Sequence, residues 1–416
     1  MNDLRIDGKR LWQSLMDLAQ IGATPKGGVK RLTLTEEDRR ARDLFCQWAR
    51  EAGLAVEVDG IGNIFARRAG TDPSLAPIAM GSHLDSQPSG GKFDGAYGVM
   101  AGLEVLRTLN NAGVRTRAPL EVVSWTNEEG ARFRPVMMGS GVFTGIFSLE
   151  QVRSQADLEG KTVGAELERI GYAGDARPHK LGGYFEAHIE QGPVLENEGK
   201  TIGVVQGALG QRWYDVTIRG QDAHAGPTPM EGRQDALIGA SRFVLDVNRI
   251  ARSFPDYARG TVGFMLVKPN SRNVIPGEVH TAVDFRKARL STLDAMCEEL
   301  LRACKAIEAE CRVTIELRET VHFKPCEFDA ALVGHVRTAA TALGHAHRDI
   351  VSGAGHDAVS IARIAPAAMV FVPCAGGISH NEIESATPAD LAAGCDVLLH
   401  AALRAAGVAG ASRAAA

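Results

Sequence analysis

Histidine and aspartate residues are concentrated in one short stretch of the chain, residues 78–98. His83, Asp85 and Asp94 follow an apolar segment that predicts a short buried strand, and a helix is predicted to begin just after them. Imidazole nitrogens and carboxylate oxygens are ligands for divalent transition metals. Open α/β sheets place such side chains at the carboxyl ends of their strands. By itself, the stretch supports a metal site and an ordinary polar loop equally.

The spacing of His83 and Asp85 gives a more specific prediction. Residues two apart in an extended chain point the same way, so the carboxylate of Asp85 is expected to reach the second ring nitrogen of His83. Such a contact fixes the tautomer of a metal-bound histidine, and carboxylates are common hydrogen-bond partners of such histidines.

Two adjacent carboxylates, Glu128 and Glu129, follow the strand predicted over residues 119–126. Grouping two acids where a buried strand ends is unfavourable unless a cation neutralises them. We therefore expect one glutamate to bind a metal and the other to act as a general base. A solvated acidic turn is the alternative interpretation.

Two more histidines occupy comparable positions. His188 lies on a predicted strand, and His380 follows the apolar segment 367–374. With them the chain has five candidate ligands, whereas one catalytic metal needs three or four. We therefore predict two metals that share a carboxylate, and Asp94, in its glycine-framed loop, is the candidate for the shared ligand. The mixed nitrogen and oxygen donors favour zinc, manganese, cobalt or nickel over calcium or magnesium.

The composition excludes several other classes of protein. The chain has 416 residues, of which 45% are hydrophobic and 23% charged, and its formal net charge is −4. These values are typical of a soluble globular protein with two domains. The absence of a basic block argues against nucleic acid, and the absence of a long apolar run argues against a membrane span. The N-terminus lacks the apolar core of a signal peptide, so we expect a cytoplasmic protein with its seven cysteines reduced.

The order of the predicted elements suggests a mixed-sheet α/β domain that carries the metal site and is interrupted by an insertion. Residues 1–210 form its first part and residues 329–416 its second part. The segment between them, 211–328, follows a β-α-β-β-α-β order, which is typical of a two-layer unit. The alanine-rich end of the chain, from about residue 404, is expected to fray.

Nine motifs along the chain together give a specific resemblance. They are GSHLDS, GGKFDGAYGV, TNEEGARF, EAHIEQGP, GQDAHAGPTPM, NVIPG, DFR, GAGHDA and GISHNEIE. In this order they resemble the M20-type metallopeptidase/amidohydrolase superfamily. Within it, they are similar to the hydantoinase/carbamoylase branch of N-carbamoyl-L-amino-acid hydrolases, β-ureidopropionases and allantoate amidohydrolases. In this branch a histidine, His188 in this sequence, occupies the position at which many peptidases of the superfamily have an aspartate.

The resemblance implies how the ligands divide between the two metal ions. His83, Asp94 and His188 bind one ion in this pattern. Asp94, Glu129 and His380 bind the other, so that Asp94 is shared.

The resemblance also implies roles for the residues around the metals. Asp85 orients His83, and Glu128 is the general base that takes a proton from the attacking water. His224 polarises the scissile carbonyl, in its own subunit or in that of a partner. The residues implied in substrate binding are Gln191, Asn273, Arg286, Gly353, Ala354 and Gly355.

The resemblance alone supports two of these roles. Without it, His224 would be interpreted as a surface-loop histidine and Arg286 as one half of an ion pair at the edge of a strand. No role is assigned to His356, although its loop of small residues suggests that it lies near the site.

The predicted function is that of a binuclear amidohydrolase. It cleaves the ureido C–N bond of an N-carbamoyl-L-amino acid and releases the amino acid, carbon dioxide and ammonia. Allantoate and β-ureidopropionate are alternative substrates, because they also carry a ureido group and a carboxylate. A non-catalytic binding protein would be favoured by the loss of Glu128 or of a ligand, and the pattern at His188 argues against a dipeptidase. The resemblance implies that the middle segment is a lid and dimerisation domain and that the protein is a homodimer.

Overall fold

The computed structural model describes residues 3–410, which form two compact α/β units. The first unit contains the chain up to Gln206, Phe328–Ile350 and the chain from Gly355 onward. The second unit contains Gly207–Glu327 and Val351–Ala354. The expectation that the chain frays from about residue 404 is wrong for the first residues of that segment, because a helix continues to Ala406 and Val408 pairs with Thr116. Residues 411–416 lie outside the part of the chain that the structure describes. Within that part, no helix is both long and apolar enough to cross a membrane.

The helices alternate with strands along most of the described chain. The α-helices are α1 Gly8–Ala19, α2 Glu36–Glu51, α3 Ala96–Asn111, α4 Met138–Phe143, α5 Leu149–Arg153, α6 Val163–Ile170, α7 Val194–Asn197, α8 Ala236–Ser253, α9 Leu290–Cys311, α10 Ala330–Ala342, α11 Asp357–Ile361 and α12 Pro388–Ala406. The strands are β1 Ala55–Val58, β2 Ile64–Arg68, β3 Ile78–His83, β4 Leu120–Trp125, β5 Gly183–Ile189, β6 Ile202–Ala208, β7 Gly210–Arg219, β8 Ala223–His224, β9 Arg259–Thr261, β10 Met265–Lys268, β11 Val274–Ile275, β12 Glu278–Lys287, β13 Thr314–Phe323, β14 Cys326–Glu327, β15 His347–Ser352 and β16 Ala367–Val372.

A mixed sheet forms the centre of the first unit. Its strands are in the order β1-β2-β4-β3-β5-β16-β6, and β15 pairs with β6. The last two residues of β6, which belong to the second unit, pair with β14 of that unit. The neighbours among β4, β3, β5 and β16 are parallel. The outer pairs β1–β2, β2–β4 and β6–β16 are antiparallel. Since parallel strands end at the same edge, the residues after the four central strands share one edge of the sheet.

The four central strands are buried at every residue. Continuous burial is expected of parallel strands that are covered on both faces. Helix α3 is also buried along most of its length, and it packs on β3 and on α12. These contacts hold the strand ends that carry the predicted ligands in a rigid framework.

The second unit is a two-layer structure of a five-stranded antiparallel sheet and two helices, with a separate two-stranded ladder of β8 and β11. The sheet has the order β10-β12-β7-β13, with β9 beside β12. Burial alternates along β12, as expected when one face of a sheet packs on a core. Helices α8 and α9 cover that face through apolar residues such as Phe243, Val247 and Leu300. The β-α-β-β-α-β order expected for residues 211–328 matches these principal elements.

Two strands of the first unit, β6 and β15, are absent from the sequence prediction. Strand β6 contains two glycines, and β15 begins with the charged segment His347–Asp349, so neither shows a clear strand pattern. Both are defined by tertiary pairing in the sheet. The expectation for the cysteines is confirmed: all seven are free, and all but Cys326 are buried.

Candidate metal centre

The predicted ligands lie at the shared edge of the central strands. His83 is the last residue of β3, and His188 is the second-last residue of β5. Glu129 follows β4, and His380 follows β16. The fifth residue, Asp94, lies in the loop between β3 and α3.

Unusual backbone conformations occur in three of these loops. Asn127, Gln191 and His380 all have a positive φ, between 54° and 58°. Residues other than glycine rarely adopt this left-handed conformation, and it tends to cluster at functional sites. The loops after β4, β5 and β16 therefore keep shapes that local sequence preference alone does not favour.

One group of potential ligands consists of His83, Asp94 and His188. The Oδ1 atom of Asp94 lies 3.2 Å from Nε2 of His188 and 3.6 Å from Nε2 of His83. All three side chains are buried. Each contributes one donor atom to a common point, as the ligands of a single ion do.

The second group consists of Asp94, Glu129 and His380. Nε2 of His380 lies 3.5 Å from Oδ2 of Asp94 and 3.3 Å from Oε2 of Glu129. Asp94 therefore faces the two groups with different carboxylate oxygens. His380 is about half exposed, so this group is the more open of the two to solvent.

The hydrogen bonds of the histidines leave the correct nitrogens free for a metal. Nδ1 of His83 lies 2.9 Å from the main-chain oxygen of Asp85, and Nδ1 of His188 lies 2.9 Å from that of Ile189. A carbonyl oxygen only accepts, so each Nδ1 carries a proton, and each Nε2 faces Oδ1 of Asp94.

The donor spacing also fits a metal ion. Ligand atoms about 2.1 Å from a tetrahedral ion lie about 3.4 Å apart. The four contacts of Asp94 and its neighbouring histidines and glutamate range from 3.2 to 3.6 Å. The residues present therefore fit two ions that share Asp94, with two nitrogens on one side and one on the other.

The ionisation of these groups shows why a cation belongs among them. Burial raises the pKa of Glu128 well above its usual value, and it raises the pKa of Glu129 to about 8. Burial opposes the ionisation of Asp94, but contacts with His188 and His83 hold its pKa well below the usual range. The two glutamates thus resist carrying charge by themselves, and a divalent cation beside them would remove that resistance.

The predicted role of the Asp85 side chain differs from the structure. Its main-chain oxygen, not its carboxylate, makes the hydrogen bond to Nδ1 of His83, and its Oδ1 atom is 3.9 Å from that nitrogen. The carboxylate accepts hydrogen bonds from the main-chain N–H groups of Glu128 and Glu129, at 3.2 and 3.3 Å, and from the Thr33 hydroxyl. The chain turns after β3, which brings the carbonyl to the ring and directs the side chain towards the loop after β4.

Glu128 lies beside the first group of ligands. Its Oε2 atom is 3.5 Å from Nε2 of His83, and its side chain is 12% exposed. It can therefore reach a molecule that is bound at the metal positions, which a general base must do. The neighbouring Glu129 accepts a hydrogen bond of 2.6 Å from the amide of Gln87, a residue that the sequence analysis did not select.

The amide of Gln191 also contacts the shared ligand. Its Nε2 donates to Oδ2 of Asp94 at 2.8 Å, and its Oε1 is buried without a hydrogen-bond partner. His356 is buried, and its ring contacts the ring of His188 edge to face at 4.7 Å. The position of His356 near the site agrees with expectation, and its role remains unassigned.

Two further residues at the centre were missed by the sequence analysis. Ser379 donates a hydrogen bond to Asp94, and Glu384 accepts one from the main chain of Asp94. Both belong to GISHNEIE, the motif from which only His380 was selected. The signal for Glu384 in the sequence was a second acidic residue in this motif, four positions after His380.

The predicted catalytic residue His224 and the predicted substrate-binding residue Asn273 lie together in the second unit. His224 pairs with Val274 in the short ladder of β8 and β11, and the main-chain N–H of Ala225 donates to the carbonyl of Asn273. His224 is exposed, and its Nδ1 accepts a hydrogen bond from the main chain of Gly226. The ladder therefore presents His224 and Asn273 side by side.

Arg286 on β12 has contacts within the second unit. Its Nε and Nη2 donate to the carboxylate of Asp284, and its Nη1 donates to the main-chain oxygen of Gly353 at 2.9 Å. The ion pair expected in the absence of a functional role is thus present. Ala354 belongs to the same unit as Arg286, and Gly355 is the first residue of the chain's return to the other unit.

Comparison with known proteins places these features in context. The model of peptidase family M20/M25/M40 matches residues 79–404. Over 401 residues the chain is 47% identical to the N-carbamoyl-L-amino-acid amidohydrolase of Rhizobium meliloti, with 96% of each protein covered. It is 35% identical to the allantoate amidohydrolase of Bacillus subtilis (strain 168), with 92% of this chain and 93% of that protein covered.

The fold has an equally clear counterpart among solved structures. The crystal structure of an amidase of the hydantoinase/carbamoylase family from Burkholderia multivorans superimposes with a TM-score of 0.95. The two sequences are 56% identical, and the comparison covers 97% of this chain and 98% of the amidase.

Proposed function

The chain belongs to peptidase family M20/M25/M40 and to its hydantoinase/carbamoylase branch, and from this membership we propose that it hydrolyses the ureido C–N bond of N-carbamoyl-L-amino acids. The products are the free amino acid, carbon dioxide and ammonia. The observation that carries the proposal is the pair of ligand groups joined through Asp94 with Glu128 beside them. The name of the Rhizobium meliloti relative supports the choice of substrate.

Two divalent ions are the proposed cofactors. His83 and His188 hold one ion, Glu129 and His380 hold the other, and Asp94 joins them. When bound, such ions lower the pKa of water and polarise a carbonyl oxygen. Zinc, manganese, cobalt and nickel all suit this donor set.

The side chain of Glu128 is the proposed proton carrier. Its buried carboxylate favours the protonated form, so it readily accepts a proton from water that attacks the ureido carbon. The same carboxyl then donates the proton to the departing nitrogen. Asp85 holds this glutamate in place through its main-chain N–H.

The second unit supplies the proposed substrate contacts. Arg286 binds the substrate carboxylate with its guanidinium group, whose planar fork suits a bidentate pair. Asn273 donates a further hydrogen bond to that carboxylate, and His224 polarises the scissile carbonyl. The exposure of His224 and its position beside Asn273 support these roles. Gln191 and the segment 353–355 are the proposed lining of the pocket.

The remaining proposals concern the domains, the assembly and the location of the protein. We assign catalysis to residues 1–210 and 329–416, and a lid and dimerisation role to residues 211–328 of a homodimer. Its seven free cysteines are consistent with a reducing compartment, and we propose the cytoplasm. Sedimentation at several concentrations tests the dimer.

Allantoate is the second candidate substrate. It shares the ureido group and the carboxylate, and the Bacillus subtilis relative supports it at lower identity. β-Ureidopropionate is chemically equivalent in these two respects.

Ammonia release by metal-stripped protein tests the proposal. The protein is reconstituted separately with Mn²⁺, Co²⁺, Ni²⁺ or Zn²⁺ and supplied with N-carbamoyl-L- and D-amino acids, allantoate, β-ureidopropionate and dipeptides. We expect metal-dependent hydrolysis of the L-carbamoyl compounds. Release from allantoate or β-ureidopropionate alone transfers the assignment to them. Cleavage of dipeptides yields no ammonia and is followed by the appearance of free amino acids, and cleavage of dipeptides alone refutes the assignment.

Glu128→Gln is the matched variant for this assay. The amide keeps the shape of the side chain but does not accept the proton, so the rate falls by about 10²–10⁴-fold. The metal content, measured by elemental analysis, is expected to stay at the wild-type level, because Glu128 belongs to neither ligand group. A variant that retains wild-type activity excludes Glu128 as the base.

A further inference from the structure

Glu384 contacts the metal centre at several points, although no role has been assigned to it so far. It lies four residues after His380 and is only 2% exposed. Its Oε1 atom accepts hydrogen bonds from the main-chain N–H groups of Phe93 at 2.9 Å and Asp94 at 3.1 Å. Its Oε2 atom accepts one from the Ser379 hydroxyl at 3.0 Å. Both carboxylate oxygens are therefore engaged with the segments that carry the ligands.

Ser379 provides a second connection between Glu384 and Asp94. Its hydroxyl oxygen lies 3.0 Å from Oε2 of Glu384 and 2.8 Å from Oδ2 of Asp94. The one hydroxyl proton is thus placed between two carboxylates. Ser379 also directly precedes His380, so the contact fastens the His380 segment to the loop of Asp94.

The loop of Asp94 is shaped around the carboxylate of Glu384. A Cβ atom on Gly91 would lie 2.0 Å from the carboxyl carbon of Glu384, so no larger residue fits there without displacement. Glu382, two positions earlier, offers a contrast. Its carboxylate pairs with Lys26 at 3.6 Å. Among the described residues, this side chain makes no hydrogen bond to the segment of Asp94 or to that of His380.

We propose that Glu384 is a positioning residue that couples the two metal positions. It fixes the main chain at Asp94 so that one oxygen faces each ligand group, and it holds the His380 segment against the same aspartate. Because Asp94 is shared, a displacement of this residue weakens both positions together. This inference rests on the metal centre of the proposed function but does not depend on the identity of the substrate.

Metal titration of the full-length, metal-stripped protein tests this coupling. Zn²⁺ is titrated in competition with a chromophoric chelator for wild type, Glu384→Ala, Glu384→Gln and the control Glu382→Ala. We expect two equivalents in wild type and in the control. Glu384→Ala is expected to bind both equivalents at least about tenfold more weakly, as when a partner of a metal ligand is lost.

Glu384→Gln separates positioning from general stability. Its amide oxygen still accepts from the main chain, but its nitrogen does not accept from Ser379, so an affinity between those of wild type and Glu384→Ala is expected. Far-UV circular dichroism establishes that each titrated sample is folded. If Glu384→Ala melts earlier but binds both metals within twofold of wild type, Glu384 is a structural residue only and the inference is overturned.

The same measurements distinguish this inference from the proposed function. Two bound metals in wild type without hydrolysis of any ureido compound refute the function, while the variants still decide the role of Glu384. A wild-type protein that binds no metal overturns both.

Discussion

At the scale of single residues, the main-chain bonds of the centre matter as much as its side chains. The histidine tautomers are set by the carbonyl oxygens of Asp85 and Ile189. The carboxylate of Asp85 is thereby left to accept from the main chain at Glu128 and Glu129. A residue two positions from a histidine thus orients the glutamates in the loop after another strand, which sequence spacing does not reveal.

Asp85→Asn tests this arrangement. An amide has one acceptor oxygen in place of two, so at least one of the two glutamate N–H groups loses its partner. We expect kcat to fall by about 10–100-fold, with the affinity for the first metal nearly unchanged because a main-chain carbonyl still holds His83. Steady-state kinetics and metal titration measure the two quantities.

Thr33→Val is the control for that variant. It removes only the hydroxyl that donates to Asp85, so its effect on kcat should be smaller. Loss of metal affinity as the main defect of Asp85→Asn, with normal turnover per bound metal, would instead place the action of its carboxylate on His83.

At the scale of elements, the start of helix α3 determines how closely the ligands approach. Gly95 precedes this helix with a φ of 65°, and its N–H donates to Nε2 of His188 at 3.2 Å. A Cβ atom at this position would lie 2.3 Å from the ring of His83. The glycine therefore meets two demands, a left-handed backbone and space for an imidazole.

Gly95→Ala is expected to displace His83 and to weaken metal binding by more than tenfold, in the range found for disturbed ligand partners. Gly113→Ala is a close match, because Gly113 has a φ of 64° and nothing within 4 Å of an added Cβ. Both variants lose about 1 kcal/mol to the left-handed backbone. Denaturant unfolding measures the loss of stability that the two variants share, and metal titration measures the effect of the clash with His83. Equal metal affinity in the two variants would contradict the predicted clash.

The elements also show what sequence patterns can and cannot predict. The helix expected to begin just after Asp94 is α3, Ala96–Asn111, and the strand expected over 119–126 is β4, Leu120–Trp125. Long periodic or apolar segments gave these predictions, because burial on two sides leaves a strong pattern. Strands β6 and β15 were missed because their pairing partners, rather than their own residues, make them strands.

The sequence likewise predicts one part of the site and not the other. The types of the ligands and their positions after strands could be predicted, since strand order places such residues at one edge of the sheet. The contacts of Gln87, Ser379 and Glu384 were not, because each joins loops far apart in the chain. Hydrogen bonds of this kind depend on the exact path of each loop, which residue patterns do not specify.

At the scale of the whole molecule, the metal ligands and three residues with proposed substrate contacts belong to different compact units. The five ligands are in the first unit, whereas His224, Asn273 and Arg286 are in the second. Metal binding and substrate affinity should therefore respond to different substitutions. This separation permits a test of the second unit that leaves the metal centre intact.

Arg286→Lys provides that test. A lysine keeps the charge but loses the planar fork, so a bidentate pair with a carboxylate is lost. We expect KM for N-carbamoyl-L-amino acids to rise by about tenfold, the equivalent of a net hydrogen bond of about 1.4 kcal/mol. The metal content should equal that of wild type. Arg318→Lys, which changes an exposed arginine paired with Asp215 on the same sheet, is the matched control.

The substrate provides the second half of this comparison. N-carbamoyl-L-amino acid amides lack the carboxylate, so Arg286→Lys and wild type should bind them with the same, weaker affinity. A rise in KM that is equal for the acids and the amides would mean that the substitution acts through the Asp284 and Gly353 contacts of Arg286 rather than through the substrate. A rise confined to the acids identifies Arg286 as the residue that recognises the carboxylate.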